Sequence, residues 1–269
     1  MIKDFYLMRN GKKLTIGNVA FQVVLKGGEY SNLQYCVEYG EEIKIIGTGD
    51  FLDQITLTPV EGGFICKRSI KNSTDKELCL KELKVAFEEI DFGGEEIDDY
   101  FYCNENNRLY GVYTLPLDYD RLNDALENQK FGIDVDKRWI DPDAINERIL
   151  NSPYQAFPAI HLGNYSNDVG VVHGTLCQDV FFHNYNVGHK NGYAFFNAYS
   201  AFKSIAYRNI KAGESLLDVW YIGLTDSAGD INHVFDGFTK ELRKVVVNTR
   251  AKNSTNKNGV SWSSWNDGI

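Results

Sequence analysis

Leu78-Cys79-Leu80-Lys81-Glu82-Leu83-Lys84-Val85-Ala86-Phe87 is the stretch that decides the fold. Leu78 and Leu80 share one parity, the phase slips once, and Leu83, Val85 and Phe87 resume the alternation against Lys and Glu. A period of two marks a strand with one face in a core. Upstream, Phe64, Cys66, Arg68 and Ile70 share a parity opposite Ile65, Lys67 and Ser69, and Ile55 and Leu57 alternate with Thr56 and Thr58. Downstream the pattern returns in Leu109 to Leu117, Val169 to Val180, Tyr193 to Ile210 and Leu216 to Leu224, between turns rich in Gly, Asn and Asp. Such runs at intervals near ten residues predict a mainly β chain built as an antiparallel sandwich. Tyr193 to Phe202 is apolar on both parities, as expected of a strand covered on both sides.

Two segments depart from this period. Asp141-Pro142-Asp143-Ala144 predicts a short helix, with Asp as N-cap and Pro in the first turn. Asp230 to Val247 predicts a longer amphipathic one. Its apolar face is Ile231, Val234, Phe235, Phe238, Leu242, Val245 and Val246, and Lys240, Glu241, Arg243 and Lys244 mostly cover the other. No internal repeat is evident.

Composition excludes several classes of function. Of 269 residues, 43% are hydrophobic and 24% charged, enough for a sizeable core in one large domain or two small ones. The 16 Tyr and 16 Phe favour sheet. A net charge of −9 argues against capture of nucleic acid or an anionic membrane. Five cysteines without a CxxC pair point to reduced, mostly buried thiols in a cytoplasmic protein rather than to a zinc or redox site. The N-terminus has no apolar signal-peptide core, and no apolar run nears the roughly 20 residues of a membrane span.

Few residues announce chemistry. The acidic run Glu88 to Asp99 lacks the ligand spacing of a calcium loop and reads as a solvated loop. The histidines His161, His173, His183, His189 and His233 form neither HxH nor HExxH, so no metal site and no cofactor are expected. His183 to Gly192 reads as a polar, aromatic loop in which His183 and Tyr185 are candidate sugar contacts, because His bonds hydroxyls and Tyr stacks on a ring. The alternative, an Asn/Gly hairpin with incidental histidines, stays open. No GxSxG, phosphate loop or dinucleotide fingerprint is present, and no two carboxylates are marked as a glycosidase pair.

The order of several segments resembles the N-terminal region of α-galactosidase-like glycoside hydrolases, family 36 and its raffinose synthase relatives. Phe157-Pro158-Ala159-Ile160-His161-Leu162-Gly163 is similar to the family's "FPF" strand, and Asp168 to Leu176 to the strand that follows it. Ile210-Lys211-Ala212-Gly213-Glu214 resembles its "PGE" turn, and Val219 to Leu224 with the helix Ile231 to Lys244 resembles the end of the region. Trp262-Ser263-Ser264-Trp265 is similar to the first barrel strand, "GWcsW".

The resemblance implies a large β-supersandwich of the galactose-mutarotase-like kind over residues 1–247, a linker at 248–260, and the first strand of a (β/α)8 barrel at 261–269. The family's catalytic aspartates would lie beyond Ile269, so no residue here is expected to be catalytic and the isolated chain should be inactive. Trp265 matches the strand-one tryptophan that lines the sugar pocket. Thr175-Leu176-Cys177-Gln178 stands where the family often carries a sandwich tryptophan that reaches the active site. The implied partners are a carbohydrate, bound through the full-length enzyme, and the absent barrel; whether the protein is a homo-oligomer is left open. A stand-alone carbohydrate-binding or mutarotase-like sandwich, and a purely structural module, remain the alternatives.

Overall fold

The computed structural model describes residues 2–93, 100–104, 115–116, 150–151, 159–177, 180–190, 192–202, 205–225, 227–228 and 233–250. The strands in chain order are β1 (Ile2–Arg9), β2 (Lys12–Leu25), β3 (Leu33–Tyr39), β4 (Ile43–Gly49), β5 (Phe51–Val60), β6 (Gly63–Asn72), β7 (Leu78–Asp91) and β8 (Tyr100–Asn104). They continue with β9 (Leu115–Pro116), β10 (Leu150–Asn151), β11 (Ala159–Asn164), β12 (Val169–Thr175), β13 (Phe181–Lys190), β14 (Tyr193–Phe202), β15 (Arg208–Ile210) and β16 (Ser215–Leu224). Among the described residues one helix, α1 (Asp236–Arg250), follows.

Among the described residues all pairings are antiparallel, and the strands form two sheets. The first runs β1-β2-β7-β14-β13-β10, with β15 also on β7; the second runs β3-β4-β5-β6-β16-β12-β11-β8-β9. The antiparallel sandwich expected from the alternation is therefore the architecture observed. The phase slip in the deciding stretch is a bulge: Val24 faces Glu82 but Leu25 faces Leu80, so one extra residue of β7 resets which side chains enter the core. A second reset lies in β2, where Asn18 takes the left-handed conformation (φ 51°) between inward Ile16 and inward Val19.

Several expectations need correction. The span 183–192 is no loop, since Phe181–Lys190 is strand β13 and pairs along its whole length with β14. Phe181, His183, Tyr185 and Val187 are buried while Asn184 and Asn186 between them are only half-buried, and this alternation outweighs a polar composition. Glu88 to Asp91 ends β7 rather than forming a solvated loop, with Ile90 fully buried against Ile16 and Ala194. Of the thiols described, Cys66 is buried and Cys36 exposed, so "mostly buried" does not hold. The helix expected at 141–149, and Trp262 and Trp265, lie outside the described residues.

Helix α1 starts at Asp236, six residues later than the periodicity suggests, because His233 to Phe235 form a turn closed by the Asp236 N–H on the His233 carbonyl. Val234 and Phe235 still pack with Phe238, Tyr221, Val172 and Ala159, so α1 lies across the outer face of β11, β12 and β16. Gly237 permits this approach, since a Cβ there would stand 2.7 Å from the Tyr221 hydroxyl. Two face assignments change. Val245 is exposed, whereas Glu241, three residues from Phe238 on the same helical face, is buried with Lys244 on its carboxylate. Among the described residues no helix is long and apolar enough to cross a membrane.

Candidate functional site

Strands of both sheets carry a polar side chain at the same depth of the core. In β5 Asp53 stands between Phe51 and Ile55, in β6 Arg68 between Cys66 and Ile70, and in β16 Asp218 between Leu216 and Trp220. In the facing sheet, His183 of β13 stands between Phe181 and Tyr185, and Ser200 of β14 between Ala198 and Phe202. These residues form a layer that divides the intersheet core into two hydrophobic clusters. One contains Ile55, Cys66, Tyr185, Ala198 and Trp220, and the other Phe51, Ile70, Phe181, Phe202 and Leu216.

Most polar groups in the layer are paired, within one sheet or across the sandwich, while His183 Nδ1 is buried without a hydrogen-bond partner. Arg68 grips Asp53 with two parallel bonds, Nε to Oδ1 at 3.0 Å and Nη2 to Oδ2 at 2.7 Å, and both side chains are almost fully buried. The remaining guanidinium donors reach the carbonyls of Lys84 and Gln22 in the opposite sheet, at 3.1 and 3.0 Å. The Tyr35 hydroxyl donates to Asp53 at 2.8 Å, and burial together with that carboxylate raises its pKa well above the usual phenol value. Burial works against the Arg68 charge, but Asp53 outweighs it and the group stays cationic.

Asp218, His183 and Ser200 close a second bridge. Ser200 donates its hydroxyl to Asp218 Oδ2 at 2.6 Å, and His183 Nε2 lies 3.1 Å from both Asp218 Oδ1 and Ser200 Oγ. The three residue types match a hydrolase triad, but the wiring differs. In a triad one imidazole nitrogen takes the serine proton and the other is held by the carboxylate. Here a single nitrogen faces both, and the hydroxyl proton goes to the carboxylate. Burial pushes the Asp218 pKa up, yet His183, Ser200 and Arg68 outweigh it and keep the carboxylate below its ordinary range. A third bridge joins His173 Nδ1 of β12 to the Tyr185 hydroxyl at 3.0 Å, with the His173 ring over Trp220 at 4.7 Å and stacked on His183 at 5.5 Å. Burial, and then His183, holds the His173 pKa well below the imidazole norm, and burial raises that of Tyr185.

The candidate sugar contacts His183 and Tyr185 are therefore neighbours, but inside the sandwich, 1% and 5% exposed. Their outward neighbours differ in character. Across β13, β14, β7 and β2 the outer face carries the rows Asn186, Asn197, Ala86, Ala20 and Asn184, Tyr199, Lys84, Gln22. Asn186 donates to the Tyr199 hydroxyl at 3.4 Å, the Lys84 ammonium sits 5.7 Å from the Tyr199 ring, and the side-chain carbonyls of Asn197 and Gln22 are buried without a hydrogen-bond partner. Neither Asp53, Arg68, Ser200 and Asp218 nor the outer amides are singled out by motif. The visible signal is a charged residue on the apolar parity of its strand, Asp53 with Phe51 and Ile55 and Arg68 with Cys66 and Ile70. Among the described residues no group of three His, Cys, Asp or Glu side chains is placed to hold a metal ion.

The buried histidines set a pH dependence. Burial lowers His161 to about 3, and His173 also falls well below 6.5. A base whose folded pKa lies below its unfolded value binds fewer protons when folded, so stability is lost as pH falls from about 6.5 toward the folded value, by at most about 1.4 kcal/mol per pH unit for each group. The depressed Asp218 acts in the same direction at lower pH, as its contribution is lost when pH falls through its folded pKa. Urea midpoints should drop steadily between about pH 7 and pH 5. A flat midpoint across that range would mean that these rings are hydrated in solution.

The class defined by this geometry is a two-sheet antiparallel sandwich with a closed polar core. No protein-family model and no curated protein matches the chain. Solved structures with a similar chain course include a galactose mutarotase related enzyme from Lactobacillus acidophilus, at 10% identity and TM-score 0.47, covering 83% of this chain and 98% of that one. They also include the family 36 α-galactosidase AgaB from Geobacillus stearothermophilus, at 14% identity and TM-score 0.45, covering 77% of this chain and 30% of that one. The α-galactosidase from Lactobacillus brevis is similar at 11% identity and TM-score 0.44, covering 83% of this chain and 31% of that one. The chain thus spans about a third of the length of these α-galactosidases, and likeness at such identity says nothing of chemistry.

Proposed function

We propose that this chain is the non-catalytic sandwich region of a carbohydrate-active enzyme of the α-galactosidase-like kind, working beside a (β/α)8 barrel that begins at Ser261. One observation carries the reading. Four of the segments that resemble that region by sequence (159–163 in β11, 168–176 through β12, 219–224 in β16, and α1) are neighbours in space. β11, β12 and β16 pair in succession, and α1 packs across them. In this reading Trp265 contacts the sugar, while His183 and Tyr185 act from inside, holding the sandwich rigid. The enzyme is cytoplasmic and needs no cofactor.

The purified chain should not turn over an aryl α-galactoside, and the product of the whole reading frame should, with loss of activity when the codons after Ile269 are removed. Turnover by the chain alone that co-purifies with it through orthogonal columns would sink the reading. The unpartnered carbonyls of Asn197 and Gln22 favour a second reading, a stand-alone carbohydrate-binding sandwich that uses the outer face of the first sheet. Calorimetric titration separates the two: galactose binding by the chain alone, abolished by Asn197→Ala, would favour the second.

A further inference from the structure

We propose that two copies of this chain pair edge to edge through β3, antiparallel about a two-fold axis at Cys36. Among the described residues β3 ends the nine-stranded sheet. A terminal strand presents a row of unpaired backbone N–H and C=O groups, which proteins shield with Lys, Pro, bulges or short length. β3 has seven residues, Leu33-Gln34-Tyr35-Cys36-Val37-Glu38-Tyr39, without Pro, Lys or Arg, and pairs with β4 in unbroken register.

The edge at β1 is different. That strand carries Lys3, Asp4 and Arg9, and its inward Phe5 and Leu7 are sealed at 5% and 1% exposure. Tyr35 and Val37, on the inward side of β3, are only half-buried, although they pack on the cluster that contains Ile45, Ile55 and Leu57. The hydrophobic core runs out to this edge and stops there partly uncovered.

A second copy supplies the missing cover. Alignment about Cys36 is the one antiparallel arrangement that pairs all seven residues of β3 with seven of the partner strand. On the core side it sets Leu33 against Tyr39 and Tyr35 against Val37, apolar on apolar. On the outer side it sets Gln34 against Glu38, an amide donor against a carboxylate, and Cys36 against itself. No like charges are opposed. The pairing joins two nine-stranded sheets into one and does not depend on the function proposed above.

Cys36 is exposed and reports the register. Directly opposed residues of antiparallel strands have Cα atoms about 4.5–5.5 Å apart, within the about 4.4–6.8 Å that a disulfide spans. The full chain should sediment as a dimer at micromolar concentration, and brief copper–phenanthroline oxidation should give a reducible covalent dimer that Cys36→Ser lacks. Cys36→Lys places two like charges face to face at a solvent-facing position and should raise the dimer dissociation constant about tenfold or more, while Cys36→Ser leaves it unchanged. A monomeric wild type, or a dimer indifferent to Cys36→Lys, overturns the proposal. A dimer weakened by Cys36→Lys that never cross-links overturns the alignment about Cys36.

Discussion

Replacing Arg68 by methionine should destabilise the protein by about 3–5 kcal/mol, because the substitution strands Asp53 as a buried, uncompensated charge. Asp53 is fully buried, and its remaining partner, the Tyr35 hydroxyl at 2.8 Å, cannot neutralise it. The same change leaves the carbonyls of Lys84 and Gln22 without the guanidinium donors that span the sandwich. Denaturant unfolding measures the loss directly. The double variant Asp53→Leu/Arg68→Met should recover a large part of it, since removing both members of a buried pair costs far less than removing one. A loss below about 1 kcal/mol for Arg68→Met would mean that water enters the layer and solvates Asp53. If the double variant were as unstable as the single one, the destabilisation would come from packing and not from charge.

Phe238→Ala carries the second large effect, about 3–5 kcal/mol for loss of a fully buried aromatic side chain. Phe238 is 0% exposed, and its ring lies 6.5 Å from that of Tyr221 in the cluster that joins α1 to the sheet. The cost depends on whether the sheet can collapse into the cavity, and a β-sheet backbone held by ladders on both sides of β16 leaves little room to do so. Val245→Ala, at an exposed position of the same helix, should change stability by no more than about 0.5 kcal/mol. Unfolding that is indifferent to both substitutions would show that α1 does not stay docked in solution.

The fold was legible where a local pattern suffices. Leu83, Val85 and Phe87 enter the core as their alternation requires, and the phase slip before them is a true bulge rather than a lapse of the pattern. The helix face of Phe235, Phe238 and Leu242 could be read in the same way. What escaped was fixed by partners distant in sequence. Nothing near His183 tells that its ring will meet Asp218 across the sandwich, 35 residues on, so the local composition reads as a loop where a strand stands. Glu241 reads as a solvated charge in its own helix because its burial depends on the sheet beneath α1. Arg68 did stand on the parity of Cys66 and Ile70, and a charge at such a position reveals that a partner must exist without revealing which one.

The polar layer gives the interior addresses. A core of leucine and phenylalanine alone tolerates sliding of one sheet over the other, because one greasy contact replaces another at little cost. In this protein a slip by one residue pair would bring Asp218 against Phe181 or Tyr185 in place of His183, and would carry Arg68 away from the Lys84 and Gln22 carbonyls. Both bridges would break at once, leaving charge in oil. The alignment of the two sheets is thus specified digitally, by matches that are either made or missed, and the chain reaches one stacking of its sheets instead of a family of near equivalents.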